Sequence, residues 1–237
     1  KILAVDSTAR SASAALIEDG RIISECFSDA GLTHSVTLMP MVNSVMSAAQ
    51  TDISQVDYFA VSQGPGSFTG VRIGVAAVKG MADALKKPCV GLSTLEILAW
   101  NFIGIDCTAA CVMDARCNQV YTALFRCNEK PERISEDEAI TVPELLNRLN
   151  GTEGKIYLTG DGAQVVYRQN TNENILLPPP LLSLQRAGSV GLAAYEKITN
   201  GEIQPLSAND LVPSYLRIPQ AERELKKKKQ LSQEAEK

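Results

Sequence analysis

Three short stretches carry the residue types from which a phosphate or metal site is built. Asp6-Ser7-Thr8 follows an apolar run, Ile2 to Val5, and puts a carboxylate and two hydroxyls at a strand end. Such a set either holds a Mg²⁺–phosphate or simply caps the strand. The run GPGSFTGVRIG, Gly64 to Gly74, lies between an apolar segment and a helical pattern. Backbone N–H groups around Gly64, Gly66, Ser67, Thr69 and Gly70 would gather there at a helix start, where an anion is favoured. No Gly-Lys-Ser/Thr follows, and the first lysine, Lys79, falls well inside the helix, so the loop lacks what an NTP-cleaving loop carries. It either cradles phosphate or is a tight turn that fixes the next helix, with Gly66 and Gly70 where a side chain would block the backbone. Gly160-Asp161-Gly162 sits at a further turn, after the apolar segment 156–159. Asp114 and Arg116 mark another, where they touch nucleotide or form a local ion pair.

A single histidine, His34, narrows the chemistry. Zinc and iron sites built on two histidines cannot be assembled, and a Ser-His-Asp or Cys-His arrangement would depend on His34 alone. His34-Ser35 is a remnant of catalysis or a helix start. The six cysteines form no C-x-x-C pair, which predicts free thiols in a reducing cytosol. No catalytic residue and no metal ligand is assigned, and no cofactor of the chain's own is expected.

Elements must position these residues, and 237 residues that are 45% hydrophobic and 21% charged suffice for a sizeable core. A net charge of −4 argues against nucleic-acid binding by this chain alone. No leader is visible and no apolar run approaches the roughly 18–20 residues of a membrane span, so a cytoplasmic location is expected. Strands are predicted over 1–7, 12–17 and 21–27, the last two joined at Asp19-Gly20. A helix over 36–50 starts near Pro40 or is kinked by it. A strand at 56–62, a helix at 70–85, a strand at 88–92 and a capping box at Ser93–Glu96 follow. A second set runs through strands at 109–113 and 120–125, an edge strand within 133–141, a helix at 142–149, strands at 156–159 and 174–177, and a helix at 188–199. The fold class is therefore α/β with two lobes, each a mixed sheet with flanking helices. Residues 1–100 with about 188–220 make the first lobe, 101–187 the second, and 221–237, with Lys226–Lys229, a charged tail.

Two helices carry too little charge. The stretch 36–50 has no Asp, Glu, Lys or Arg, and 70–85 has only Arg72, Lys79 and Asp83. A helix apolar nearly all round is buried on more than one side. The pattern predicts a partner surface containing Leu38, Met39, Val42, Val45, Met46, Arg72, Val75, Val78, Met81 and Ala82, or burial under the same chain. Without a partner, the same face is expected to self-pair as a homodimer.

ILAVDST at 2–8, HS at 34–35, GPGSFTGVRIG at 64–74, STLE at 93–96, MDAR at 113–116 and YLRIPQAE at 215–222 stand in the order of one family. The chain resembles the bacterial TsaB (YeaZ) family of tRNA threonylcarbamoyladenosine biosynthesis proteins over nearly its whole length. The resemblance implies the two-lobed actin/Hsp70/sugar-kinase (ASKHA) fold. It also implies a non-catalytic subunit that pairs with TsaD and, with the ATPase TsaE, supports threonylcarbamoyl transfer to the adenosine beside the anticodon. ATP and Mg²⁺ would be used by the complex, and tRNA met only through it. TsaD holds a metal with two histidines on one helix, a pair this chain lacks. MDAR departs from a phosphate-binding turn in having no glycine after the aspartate. The competing expectation is a stand-alone ATPase, sugar-kinase-like enzyme or peptidase.

Overall fold

The computed structural model describes residues 1–217; Glu222, the Lys226–Lys229 run and the rest of the charged tail lie outside them. Five strands form the first sheet: β1 (Ile2–Asp6), β2 (Ala12–Glu18), β3 (Arg21–Ser28), β4 (Tyr58–Gly64) and β5 (Cys89–Ser93). Their order is β3-β2-β1-β4-β5. β1 to β3 are antiparallel, and β1, β4 and β5 are parallel. Asp19 (φ 49) and Gly20 (φ 73) make the β2–β3 turn with both residues in the left-handed region, as a two-residue hairpin requires.

The second sheet repeats the plan. β6 (Cys107–Asp114) and β7 (Gln119–Cys127) are an antiparallel hairpin. β8 (Glu132–Arg133) and β9 (Glu138–Thr141) both pair antiparallel with β7. β10 (Ile156–Thr159) and β11 (Ile175–Leu176) add in parallel on the other side of β6. The two lobes thus share a meander-then-parallel topology, that of the actin/Hsp70/sugar-kinase class.

Helices cover both faces of each sheet. α1 (His34–Ala48) and α2 (Phe68–Leu85) lie on the face of the first sheet that presents Leu3, Val5, Leu16, Phe59 and Val61. α6 (Ala187–Thr199) lies on the opposite face, over Ile2, Ala4, Ile17, Ala60 and Val90. These alternate residues explain why the sequence of β1 reads as an unbroken apolar run: both of its faces are covered. In the second lobe α3 (Thr94–Trp100) covers Ala109, Cys111 and Phe125, while α4 (Val142–Leu149) and α5 (Ala163–Tyr167) cover Val112, Val120 and Leu158.

Two local expectations change. α1 does not start near Pro40; it begins at His34 and holds Pro40 inside, on the exposed side, with the Ser44 hydroxyl donating to the Pro40 carbonyl. At Ser93–Glu96 only half of the capping box forms. The Ser93 oxygen accepts from the Glu96 N–H, but the Glu96 carboxylate turns to Lys197 of α6 at 2.8 Å. The full reciprocal box forms instead at α4, between Thr141 and Glu144.

Candidate functional site

The helix residues expected to meet a partner divide into two sets. Leu38, Val42, Val45 and Met46 of α1, and Val75, Val78, Met81 and Ala82 of α2, are buried in the first lobe's own core. They are corrected here from partner contacts to sheet-packing residues. The stripe they form is the one any amphipathic helix turns toward its sheet. Of the ten, only Met39 and Arg72 are exposed.

The outer faces are the unusual part. α1 presents Ser35, Val36, Met39, Pro40, Asn43, Ser44 and Ser47 without one charge, and Val36 is 69% exposed. Beside it α2 presents Thr69, Arg72, Ala76, Gly80, Asp83 and Ala84. Arg72 is already engaged within the chain. Its Nε donates to the Tyr215 hydroxyl at 2.8 Å, and its guanidinium lies 3.9 Å from the centre of the Phe68 ring. Phe68 and Tyr215 pack with ring centres 5.3 Å apart.

Tyr215 belongs to a strap, residues 207–217, that runs back over α2. Lys79 Nζ donates to the carbonyls of Asn209 and Leu211, and the Ser214 N–H donates to Gln63 O at 2.7 Å. Arg217 Nη1 then donates to Ala115 O in the β6–β7 turn of the other lobe. Sequence reading missed Phe68, Arg10 and the Tyr215–Arg72 pair. Residues 143 positions apart leave no local signal of meeting.

The glycine loop docks turn against turn. A Cβ at Gly66 would stand 2.3 Å from Thr8 O, and one at Gly70 would stand 2.0 Å from Ser7 O. The Ser67 N–H donates to Thr8 O at 2.7 Å, and the Ser67 hydroxyl accepts from the Gly70 N–H as the cap of α2. Ser7 Oγ donates to Gly70 O at 2.9 Å. Two N–H groups that an anion would use are therefore taken by the protein. Asp6 is buried behind this wall and accepts from both the N–H and the hydroxyl of Thr8. Burial pushes its carboxyl above the ordinary range, and the hydrogen bonds from Thr8 oppose that. Gly66, Ser67 and Thr69 line the cleft between the lobes; Asp6, Gly64 and Gly70 do not.

That cleft has a polar chamber of about 480 Å³ between the loop, the β6–β7 turn and the strap. Arg10, Ser67, Thr69, Asp114, Arg116, Asp161 and Arg217 surround it. An adjoining chamber of about 520 Å³ shares Arg10 and Asp161 and is lined by Leu158, Gly160, Leu177 and Pro178. The Asp161 carboxylate accepts the Asp114 N–H at 3.0 Å. Arg116 pairs with Asp114 at 3.5 Å, from a turn in which Arg116, Cys117 and Asn118 all have positive φ. Among the described residues, no three His, Cys, Asp or Glu side chains gather as a metal site. His34 opens α1, and its Nε2 donates to Ala9 O at 2.7 Å. Its Nδ1 is enclosed without a partner among the described residues, and Ser35 points to α1's outer face.

Crowding by the surrounding protein raises Asp161 to about 6 from 3.8, and the neighbouring charges of Asp114 and Asp6 add to that effect. The folded chain then binds more protons than the unfolded chain between those two values. Stability should fall as pH rises from about 4 to about 6 and level off above. An NMR titration of the Asp161 carboxyl should show its midpoint near 6, and Asp161→Asn should remove the slope.

A family model described as TsaD, tRNA N6-adenosine threonylcarbamoyltransferase, matches residues 28–223. The tRNA threonylcarbamoyladenosine biosynthesis protein TsaB of Bacillus subtilis is 29% identical over 229 residues, covering 93% of this chain and 96% of that protein. Its namesake in Escherichia coli is 32% identical over 169 residues, covering 69% of this chain and 72% of that protein. The solved structure of YeaZ from Pseudomonas aeruginosa superposes with a TM-score of 0.76 at 27% identity, covering 91% of this chain and 99% of that one. Another structure, described as an uncharacterized protein with similarity to peptidase YEAZ from the same organism, gives 0.78 at 28% identity. The two-lobed topology, the likeness along nearly the whole chain and these matches together mean that the chain belongs to the TsaB (YeaZ) family.

Proposed function

We propose that this chain is the non-catalytic subunit of a threonylcarbamoyl transfer system, pairing with a TsaD-like catalytic subunit and working with a TsaE-like ATPase. In that role it meets tRNA only through the complex, and ATP and Mg²⁺ serve the complex rather than this chain. The names of the relatives support a part in tRNA threonylcarbamoyladenosine biosynthesis. The observation that carries the pairing is the outer face of α1, where Val36 and Met39 stand exposed on a helix with no charged residue. Uncharged surface with methionine on a rigid helix suits a protein partner better than water. The same face supports self-pairing when the partner is absent. A single histidine whose Nε2 is held by Ala9 O supports a role without acid–base chemistry of its own.

The test is reconstitution of TsaD, TsaE, tRNA, ATP, threonine, bicarbonate and the adenylate-forming enzyme, with and without this chain. Modification should require the chain; equal modification without it would end the proposal. The polar chamber favours a second reading, a nucleotide-using enzyme of the same fold. That reading requires ATP binding by the isolated chain, and calorimetry showing no heat would remove it.

A further inference from the structure

Among the six cysteines, only Cys107 and Cys127 stand directly opposite one another. They are register partners at the open end of the β6–β7 hairpin. Residues directly opposite across an antiparallel ladder point to the same face, with Cα atoms about 4.5–5.5 Å apart, inside the span a disulfide bridges. Both side chains enter the core under α3, where Cys127 Sγ donates to Ala99 O at 3.8 Å. The other thiols lack such a mate: Cys111 faces Ala123, Cys26 faces Ala14 and Cys89 faces Phe59. All six are free in this structure.

We infer that Cys107 and Cys127 form a reversible oxidative modification site, closing to a cross-strand disulfide when a small peroxide reaches them. The order of events follows from access and charge. Cys107 is 3% exposed and Cys127 fully enclosed, so peroxide reaches Cys107 first. The neighbouring Cys127 sulfur holds the Cys107 thiol below its ordinary range, while the same neighbour and burial push Cys127 upward. Cys111, buried and pushed well above the ordinary range, is the less reactive thiol.

The Cys107 thiolate attacks one oxygen of hydrogen peroxide and breaks the O–O bond, giving a sulfenic acid and hydroxide, which leaves as water with the thiol's proton. The Cys127 sulfur then attacks the Cys107 sulfur, the S–O bond breaks, and a second water departs with the Cys127 proton. Two thiols are oxidised to one disulfide, and one peroxide is reduced to two waters. Closure takes away the Cys127 donor to Ala99 O, so the hairpin's hold on α3 changes with redox state.

The full chain carrying Cys117→Ser, which removes the exposed thiol, should be treated with hydrogen peroxide, unfolded, alkylated and mapped by mass spectrometry. A Cys107–Cys127 cross-linked peptide that dithiothreitol removes is expected, with Cys89 and Cys111 still alkylated. Adding Cys127→Ser should leave a Cys107 sulfenic acid that dimedone traps. Peroxide treatment that leaves both Cys107 and Cys127 alkylatable, or a cross-link from Cys127 to Cys111, would overturn the inference. Should the Cys127→Ser chain fail to fold, the cross-link map of the folded Cys117→Ser chain decides by itself.

Discussion

Ala76→Glu is expected to fold like the parent and to weaken binding to a TsaD-like partner about a hundredfold or more, whereas Val75→Glu, one residue earlier, is expected not to fold. Ala76 stands on the outer face of α2 in line with Arg72 and Gly80, while Val75 is 3% exposed against the sheet. A carboxylate at Ala76 is solvated in the free chain and loses water only on pairing. A hundredfold loss corresponds to about 2.7 kcal/mol, an ordinary cost for an unpaired charge in an interface. At Val75 the desolvation falls on folding itself and takes several kcal/mol from a total of about 5–15 kcal/mol. Circular dichroism melts and calorimetric titration separate the two outcomes. Unchanged binding by Ala76→Glu would move the partner surface elsewhere, and a native melt for Val75→Glu would contradict the packing of α2.

Gly70→Ala should lower stability by about 3 kcal/mol or more, a fall in melting temperature of about 6–12 °C. Its Cβ would lie 2.0 Å from Ser7 O, between two backbones that the Ser7–Gly70 and Ser67–Thr8 hydrogen bonds hold together. Gly80, in the same helix, has nothing within 4 Å of an added Cβ. Gly80→Ala should therefore raise stability by about 0.5–1 kcal/mol through helix propensity alone. Parallel thermal melts check both, and similar values for the two variants would show that the loop is not packed as described.

The contrast shows what the residues made legible. The unbroken apolar runs of β1 and β4, the Asp19-Gly20 turn and the apolar stripe of α2 are local patterns, and the fold class follows from them. The charge deficit of α1 also pointed to a real property, an outer face without charge. What it could not do was separate the sheet-facing stripe from the outer one, because both are apolar and only the sheet's position tells them apart. The glycine loop looked like an anion cradle because its sequence shows N–H groups but not their acceptors. The carbonyls of Ser7 and Thr8 come from a turn some sixty residues away, and the strap that holds Arg72 comes from the far end of the chain. Contacts of that separation are set by topology, which composition and spacing do not encode.

The placement of α6 governs the order in which this molecule can be built. Ile2, Ala4, Ile17 and Val90 belong to strands that emerge early, yet their cover, Ala187 to Ala194, is made only after the whole second lobe. The second sheet, contiguous in sequence, can close while that face of the first has only Ile97 and Trp100 of α3 upon it. At about 5–20 residues per second, that face waits for seconds on the ribosome. A newly made chain therefore passes through a half-dressed state, with its first sheet the part that most needs shielding until α6 arrives.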